Sequence, residues 1–268
     1  MNYLHAYHAG QAADLFKHFV LFELLKALLE KKKPLSYLET HAGFAYYDLK
    51  APPSQKTQSY QTGISLLWQA QPKTKLKHFL DIIKKLNLTQ NTTTLRYYPG
   101  SAWIANQLLT RRNPLYLCDK NETAIHHLKT HLPHTTHLYH EDGYTLLTSL
   151  LPPKTKRGLL FIDPPYENSD EWARILQACT IIHKKWSYGT TAIWYPIKND
   201  PHRKKFDRAL QALPFDKKEN IEFCLFSKDV SQRLNGSGIF LINPPWKFKE
   251  NIENSLQELK RILTANIC

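Results

Sequence analysis

From Ser101 to Asp163 the chain alternates apolar strand-like runs with stretches of helical spacing. A helix starts at Ser101, strands fall at 115–119 ("LYLCD"), 136–140 and 158–163, and helices at 121–131 and 144–150. Strands separated by helices pair in parallel, because each crossover carries the chain back to the edge from which the last strand started. The flanking segments extend this frame. Residues 11–32 place Leu15, Phe19, Phe22, Leu25 and Leu29 at helical spacing, which predicts an amphipathic helix ended by Lys31, Lys32 and Lys33 and closed by Pro34. "PLSYLET" follows as a first strand and leads into "HAG", where Gly43 tolerates backbone geometry that other residues resist. After Asp163 come a strand at "TAIWYP", a helix near 202–212, strands at "IEFCLF" and "SGIFLIN", and a C-terminal helix. No helix-length pattern separates the last two strands, so they are expected to pair antiparallel. The fold class is α/β: a seven-stranded, mostly parallel sheet with five parallel-type strands and a terminal antiparallel pair.

The alternation is interrupted once. From Asp48 the chain turns polar and turn-rich ("DLKAPPSQKTQSYQTG"), then shows helical patterns near 61–70 and 76–88 before the Thr-rich "TQNTTT". This reads as an inserted helical subdomain, 48–96, within a discontinuous main domain of 1–47 plus 97–268. Asp14, Lys17, Glu23 and Lys26 break any secretory or membrane-spanning run near the N-terminus, so a cytoplasmic protein without a membrane partner is expected. Cys118, Cys179, Cys224 and Cys268 form no CxxC pair, and no HExxH spacing accompanies His5, His8, His18 and His41, so no metal is expected. The 36 Lys and Arg residues against 23 Asp and Glu give a net charge of +13, which makes a polyanion the natural partner. The charge lies in small clusters: Lys31 to Lys33, Arg111-Arg112, Lys154 with Lys156 and Arg157, Lys184-Lys185, and Arg203 to Lys205.

"FIDPPYEN", residues 161–168, carries the chemistry. Pro164 and Pro165 donate no ladder hydrogen bonds, so they stop the strand and leave Asp163 at its C-terminal end, the edge where open α/β sheets bind ligands. The lone pair of a nucleobase amine is delocalised into the ring and must be freed before it attacks. A carboxylate (Asp163) and a backbone carbonyl (Pro164) accepting the two amine hydrogens would do this, while the Tyr166 ring stacks on an unstacked base. The tetrad alone does not separate an RNA adenine from a DNA adenine or a glutamine amide. By spacing alone, Asp119 also fits a cap for the helix near Asn121, Ser101 a cap for its own helix, His18 a core histidine, and Asp142-Gly143 an ordinary turn.

The tetrad resembles the (D/N)PP(Y/F/W) signature of adenine-amine methyltransferases. Together with "YHAGQAADLFKH", "YLETHAG", "RYYPGS", "EDGY", "WYPIK" and "INPPWK", in that order along nearly the whole chain, it resembles the RlmJ family of bacterial 23S rRNA adenine-N6 methyltransferases. The resemblance implies a Rossmann-like class I fold, S-adenosyl-L-methionine as cofactor, and a monomer acting on free or partly assembled 23S rRNA. It further implies that His18, His41, Gly43, Ser101, Asp119, Asp142, Gly143 and Asp163 contact the cofactor. Asp119 stands where the family often carries Glu to hold the ribose hydroxyls. Asp163 is the implied proton acceptor, with Pro164 and Tyr166 beside it, and Tyr3 and Lys17 the implied substrate contacts. A DNA adenine or protein glutamine methyltransferase, or a catalytically silent RNA-binding protein, are the other readings. "INPPW", residues 242–246, also satisfies the tetrad pattern. Asp163 ends the fourth strand and Asn243 the seventh, so the second tetrad is read as a strand terminator with a packing Trp246.

Overall fold

A computed structural model describes residues 5–199, 201–228, 230 and 234–265. The chain runs through α1 (Ala12–Leu29), β1 (Ser36–Glu39), β2 (Tyr46–Asp48), α2 (Pro52–Thr57), α3 (Ile64–Gln69) and α4 (Leu76–Thr89). It returns through β3 (Tyr97–Pro99), α5 (Ser101–Leu108), β4 (Leu115–Asp119), α6 (Glu122–His131), β5 (His137–His140), α7 (Gly143–Leu150) and β6 (Gly158–Ile162). The last part is α8 (Glu171–Trp186), β7 (Thr190–Ile197), α9 (Pro201–Gln211), β8 (Lys218–Cys224), β9 (Gly236–Ile242) and α10 (Phe248–Thr264).

The seven-stranded sheet has the order β5-β4-β1-β6-β7-β9-β8. Its β5, β4, β1, β6 and β7 pair in parallel, while β9 is antiparallel to both β7 and β8. The expected terminal antiparallel pair is present, but β9 alone runs backwards and β8 shares the direction of the parallel set. β1 and β6 are buried at every residue, as strands covered on both faces must be. One covering helix, α8, is absent from the sequence reading, although Ile175, Ala178, Cys179, Ile182 and Trp186 hold its buried face at helical spacing.

Helix α1 departs from the expected amphipathic surface helix. It is buried continuously from Ala13 to Leu25, charged residues included, and packs against α4, α5, α10 and β9. Its buried Glu23 is held by Lys26 at 3.2 Å and Lys75 at 3.4 Å. The stretch between β2 and β3 is helical, and those two strands pair antiparallel at its base, where Arg96 bonds Asp48 at 2.8 Å. The fully buried Asn87 joins α4 to β3: its Oδ1 accepts from the Arg96 and Tyr97 backbones and its Nδ2 donates to the Ile83 and Tyr97 carbonyls. Phe79 of α4 meets Phe19 and Phe22 of α1 at centroid distances of 5.9 and 5.8 Å, so the inserted helices share the core of the main sheet. Among the described residues no helix is long and apolar enough to cross a membrane.

Candidate active site

The C-terminal ends of β1, β4 and β6 open onto a cleft walled by α1, the N-terminus of α5 and α8. His18, His41, Gly43, Ser101, Asp119, Asp163, Pro164 and Lys17, all singled out from sequence, line it. Gly43 adopts φ +59°, in the left-handed region, and its N–H donates to Asp119 Oδ2 at 2.8 Å. Asp119 Oδ1 accepts from the Asn121 N–H at 2.8 Å, while Asn121 itself caps α6 by accepting from Thr123 and Ala124. The cap thus belongs to Asn121, and Asp119 is left to shape the glycine loop at the cleft wall. Burial raises the Asp119 carboxyl above its ordinary value.

Burial favours the neutral form of two of the cleft histidines, His18 and His41. Burial pushes His41 down to about 3, and its Nδ1 pairs with Thr40 Oγ1 at 2.8 Å. Burial, and then the charge of Lys17, holds His18 well below the usual range, and its Nδ1 meets the Tyr98 hydroxyl at 3.0 Å. Behind them Ser101 donates to Glu39 Oε1 at 2.5 Å and Tyr37 donates to Oε2 at 3.0 Å. Burial still outweighs these bonds and pushes the Glu39 carboxyl up to about 8.

The reactive end centres on a buried chain of charges. Lys17 Nζ lies 2.7 Å from Asp163 Oδ2 and 3.0 Å from Asp14 Oδ1. Asp14 also accepts from the Gly10 N–H and meets His5 Nε2, both at 3.0 Å. Burial would raise the Asp14 carboxyl, but His5 and Lys17 override it and hold the group well below the usual range. Asp14, His5, Glu39 and Trp194 were not singled out from sequence as site residues. The motif "ADLFKH" places Asp14 one helical turn before Lys17 on the same helix, a signal the sequence offered for Asp14. Tyr3 lies outside the described residues.

Three of the expected site residues stand off the cleft wall. Tyr166 does not line the cleft: at φ +53° it turns its ring against Trp172 and Trp194 and donates its hydroxyl to the Trp194 carbonyl at 2.7 Å. The prolines after β6 have no N–H to offer that carbonyl, and the Tyr166 hydroxyl donates to it instead. Trp194 lines the cleft instead, along with Phe44 and Tyr47, and Lys17 Nζ lies 5.4 Å from the Trp194 ring centroid. Asp142 and Gly143 likewise stand beside the cleft rather than on its wall. Asp142 caps α7 through the Tyr144 N–H and is gripped by Lys120 at 2.6 Å and by Arg174. Those two cations hold its carboxyl down to about 2, although burial opposes them. Arg174 also lies 4.6 Å from the Tyr144 ring centroid, and both it and Lys120 do line the cleft. Gly143 packs so closely on the loop after β1 that a Cβ would fall 2.1 Å from the Thr40 carbonyl oxygen. Among the described residues no group of three or more His, Cys, Asp or Glu is arranged to hold a metal ion.

The family model described as "Ribosomal RNA large subunit methyltransferase D, RlmJ" matches residues 32–267. The chain belongs to the RlmJ family. Two proteins named Ribosomal RNA large subunit methyltransferase J are similar to it along nearly their whole length. The one from Escherichia coli (strain K12) is 32% identical, over 96% of this chain and 91% of its own. The one from Haemophilus influenzae (strain ATCC 51907 / DSM 11121 / KW20 / Rd) is 33% identical, over 100% of this chain and 94% of its own. A crystal structure of a protein from Legionella pneumophila str. Philadelphia 1 superposes with a TM-score of 0.87 at 37% identity, covering 97% of this chain and 95% of that one. RlmJ enzymes use S-adenosylmethionine as methyl donor. The cleft suits that cofactor. Neutral His18 and His41 do not repel its positive sulfur, and Asp119 keeps lone pairs for ribose hydroxyls after its two backbone bonds.

Proposed function

We propose that the chain methylates the N6 amine of an adenosine in 23S rRNA, the substrate class carried in the names of its two RlmJ relatives. It acts as a cytoplasmic monomer on free or partly assembled rRNA, with 1–47 plus 97–268 as the methyltransferase domain and 48–96 as its helical insertion. The observation that carries this reading is the Asp163 carboxylate at the end of β6, pinned at 2.7 Å by Lys17 beside the cleft's aromatic wall.

S-adenosylmethionine supplies an electrophilic methyl group on a positive sulfur that leaves as a neutral thioether. The protein's task is to present the amine. Asp163 and the Pro164 carbonyl accept its two hydrogens, which turns the nitrogen lone pair out of the ring plane toward the methyl carbon. Asp163 then takes the proton as the N–C bond forms. Lys17, held by Asp14, fixes the orientation of the Asp163 carboxylate. Trp194 bounds the space into which the flipped base enters, and Tyr166 braces the tetrad loop against β7. His18, His41, Ser101 and Asp119 hold the donor, while Asp142 and Gly143 support the adenine end of its cleft from behind Arg174 and Lys120. Tyr3 and Lys17 contact the incoming nucleotide.

Radiolabelled methyl transfer to 23S rRNA from a strain lacking the modification, followed by nucleoside mass spectrometry, tests the proposal. N6-methyladenosine at one position is the expected result. Transfer to DNA or to a glutamine peptide with none to rRNA would overturn it.

A further inference from the structure

The second tetrad, Asn243 to Trp246, ends β9, and β9 runs against β6 and β7. It therefore ends at the opposite edge of the sheet from Asp163, where Ile242 pairs with Thr191 and Lys218 near the starts of β7 and β8. Asn243 fastens three segments together there. Its side-chain amide donates to the Ser187 and Gly189 carbonyls at 2.7 and 2.9 Å, its N–H donates to the Lys217 carbonyl at 2.9 Å, and its carbonyl accepts from Thr190 Oγ1 at 3.0 Å. The expected packing role of Trp246 is contradicted: its side chain is 84% exposed, and Tyr188, between the two carbonyls held by Asn243, is 60% exposed. Among the described residues the other exposed large apolar side chains are Leu88 and Val230, neither aromatic, so the exposed aromatics are concentrated on this one hydrogen-bonded unit.

Charge converges on the same edge. Parallel strands all begin on one side, so the exposed basic residues entering β4 (Arg111, Arg112), β1 (Lys31 to Lys33), β6 (Lys154, Lys156), β7 (Lys184) and β8 (Lys217) form one row in strand order. Exposed Glu30, Asp216 and Glu250 interrupt this row without reversing its sign. Lys247 Nζ stands 5.9 Å from the Trp246 ring centroid. Exposed aromatic faces among lysines are the combination that stacks unpaired bases while holding their phosphates.

We propose that this edge is a second RNA contact, in which Trp246 and Tyr188 stack on unpaired nucleotides flanking the reacting one and the lysine row binds the backbone. The inference rests on RNA being the substrate. From Thr190 to Trp194, at the level of Asp163, is four residues, or about 13 Å at about 3.3 Å per residue, so the nucleotide in the cleft does not itself reach Trp246. Trp246 must meet another part of the same molecule.

The test measures binding of an oligouridine strand, which holds no adenine for the cleft, and of a 23S rRNA transcript. The proteins are wild type, Trp246→Ala, Trp246→Tyr, Tyr188→Ala and the double alanine variant. Trp246→Ala is expected to weaken oligouridine binding about five- to hundredfold and to raise the KM for the transcript. Melting temperature, S-adenosylmethionine affinity and kcat at saturating RNA stay unchanged, and Trp246→Tyr recovers most of the loss. Unchanged oligouridine affinity in the double variant overturns the proposal. So does a variant that keeps RNA affinity but alters sedimentation or binding to anionic vesicles, since the edge would then serve a protein or a membrane. Oligouridine binding requires no methyl transfer, so a wild-type protein inactive on rRNA would sink the activity and leave this comparison readable.

Discussion

Asp163-Pro-Pro-Tyr166 and Asn243-Pro-Pro-Trp246 share a pattern, yet they stand at opposite edges of one sheet because β6 and β9 run in opposite directions. In each, two prolines end a strand. The first tetrad opens onto the cleft and its Asp meets Lys17; in the second, Asn243 is consumed by backbone carbonyls and the aromatic is turned to solvent. A four-residue motif thus fixes a turn, and the direction of the strand before it decides what the turn faces.

The most damaging test of this contrast exchanges the roles. Asp163→Ala, assayed at saturating S-adenosylmethionine, is expected to lose about 10²–10⁴-fold in methyl transfer, the usual contribution of a positioned base. Asn243→Ala keeps turnover per folded molecule. The reverse outcome would move the active site to the other edge.

A second difference between the edges is burial of charge. The Glu39 carboxyl, behind the cleft, is pushed up to about 8 by burial against an ordinary value of 4.5. Between those two values the native state keeps a proton that the unfolded chain has released, so stability falls as pH rises from about 4.5 to about 8. Glu39→Gln should remove a slope of up to about 1.4 kcal/mol per pH unit, read from denaturant unfolding at pH 5 and pH 8. Equal slopes in both proteins would show that Glu39 is ionised in the fold.

Smaller still is the effect expected at Arg174, which is partly exposed and acts through Asp142. Arg174→Ala should weaken S-adenosylmethionine binding roughly five- to tenfold, the size of one ordinary net hydrogen bond, with Arg174→Lys intermediate by calorimetry. No change would detach Asp142 from the cofactor. The smallest effect belongs to the distal tetrad: Trp246→Ala should alter unfolding free energy by less than about 0.5 kcal/mol, where a packed tryptophan would cost several.

These contrasts also mark where the sequence was legible. The strands and helices of 101–163 were readable because their apolar periods differ, and Asp163 was readable because two prolines must end a strand. Helix α8 carried a readable period in Ile175, Ala178, Cys179 and Ile182, but a site centred on strand ends drew the reading past it, and Arg174 and Glu171 went with it. The all-round burial of α1 was hidden by Asp14, Lys17, His18 and Glu23. Periodicity counts such residues as exposed, whereas here each has a partner inside the protein. The fates of Tyr166 and Trp246 depend on neighbours distant in sequence, and the basic clusters become a single row only once the sheet has aligned their strands.

The burial of α1 also orders events during synthesis. Its flanks are covered in part by β9 and α10, and its Phe16 ring stacks on Phe223 of β8 at 5.4 Å, all from the last fifth of the chain. At roughly 5–20 residues per second, α1 waits on the order of tens of seconds for that cover. Until then its apolar circumference needs another shield, although Asp163, the partner of Lys17, is made well before that cover. The helix that carries Lys17 is made long before the strands and helix that cover it.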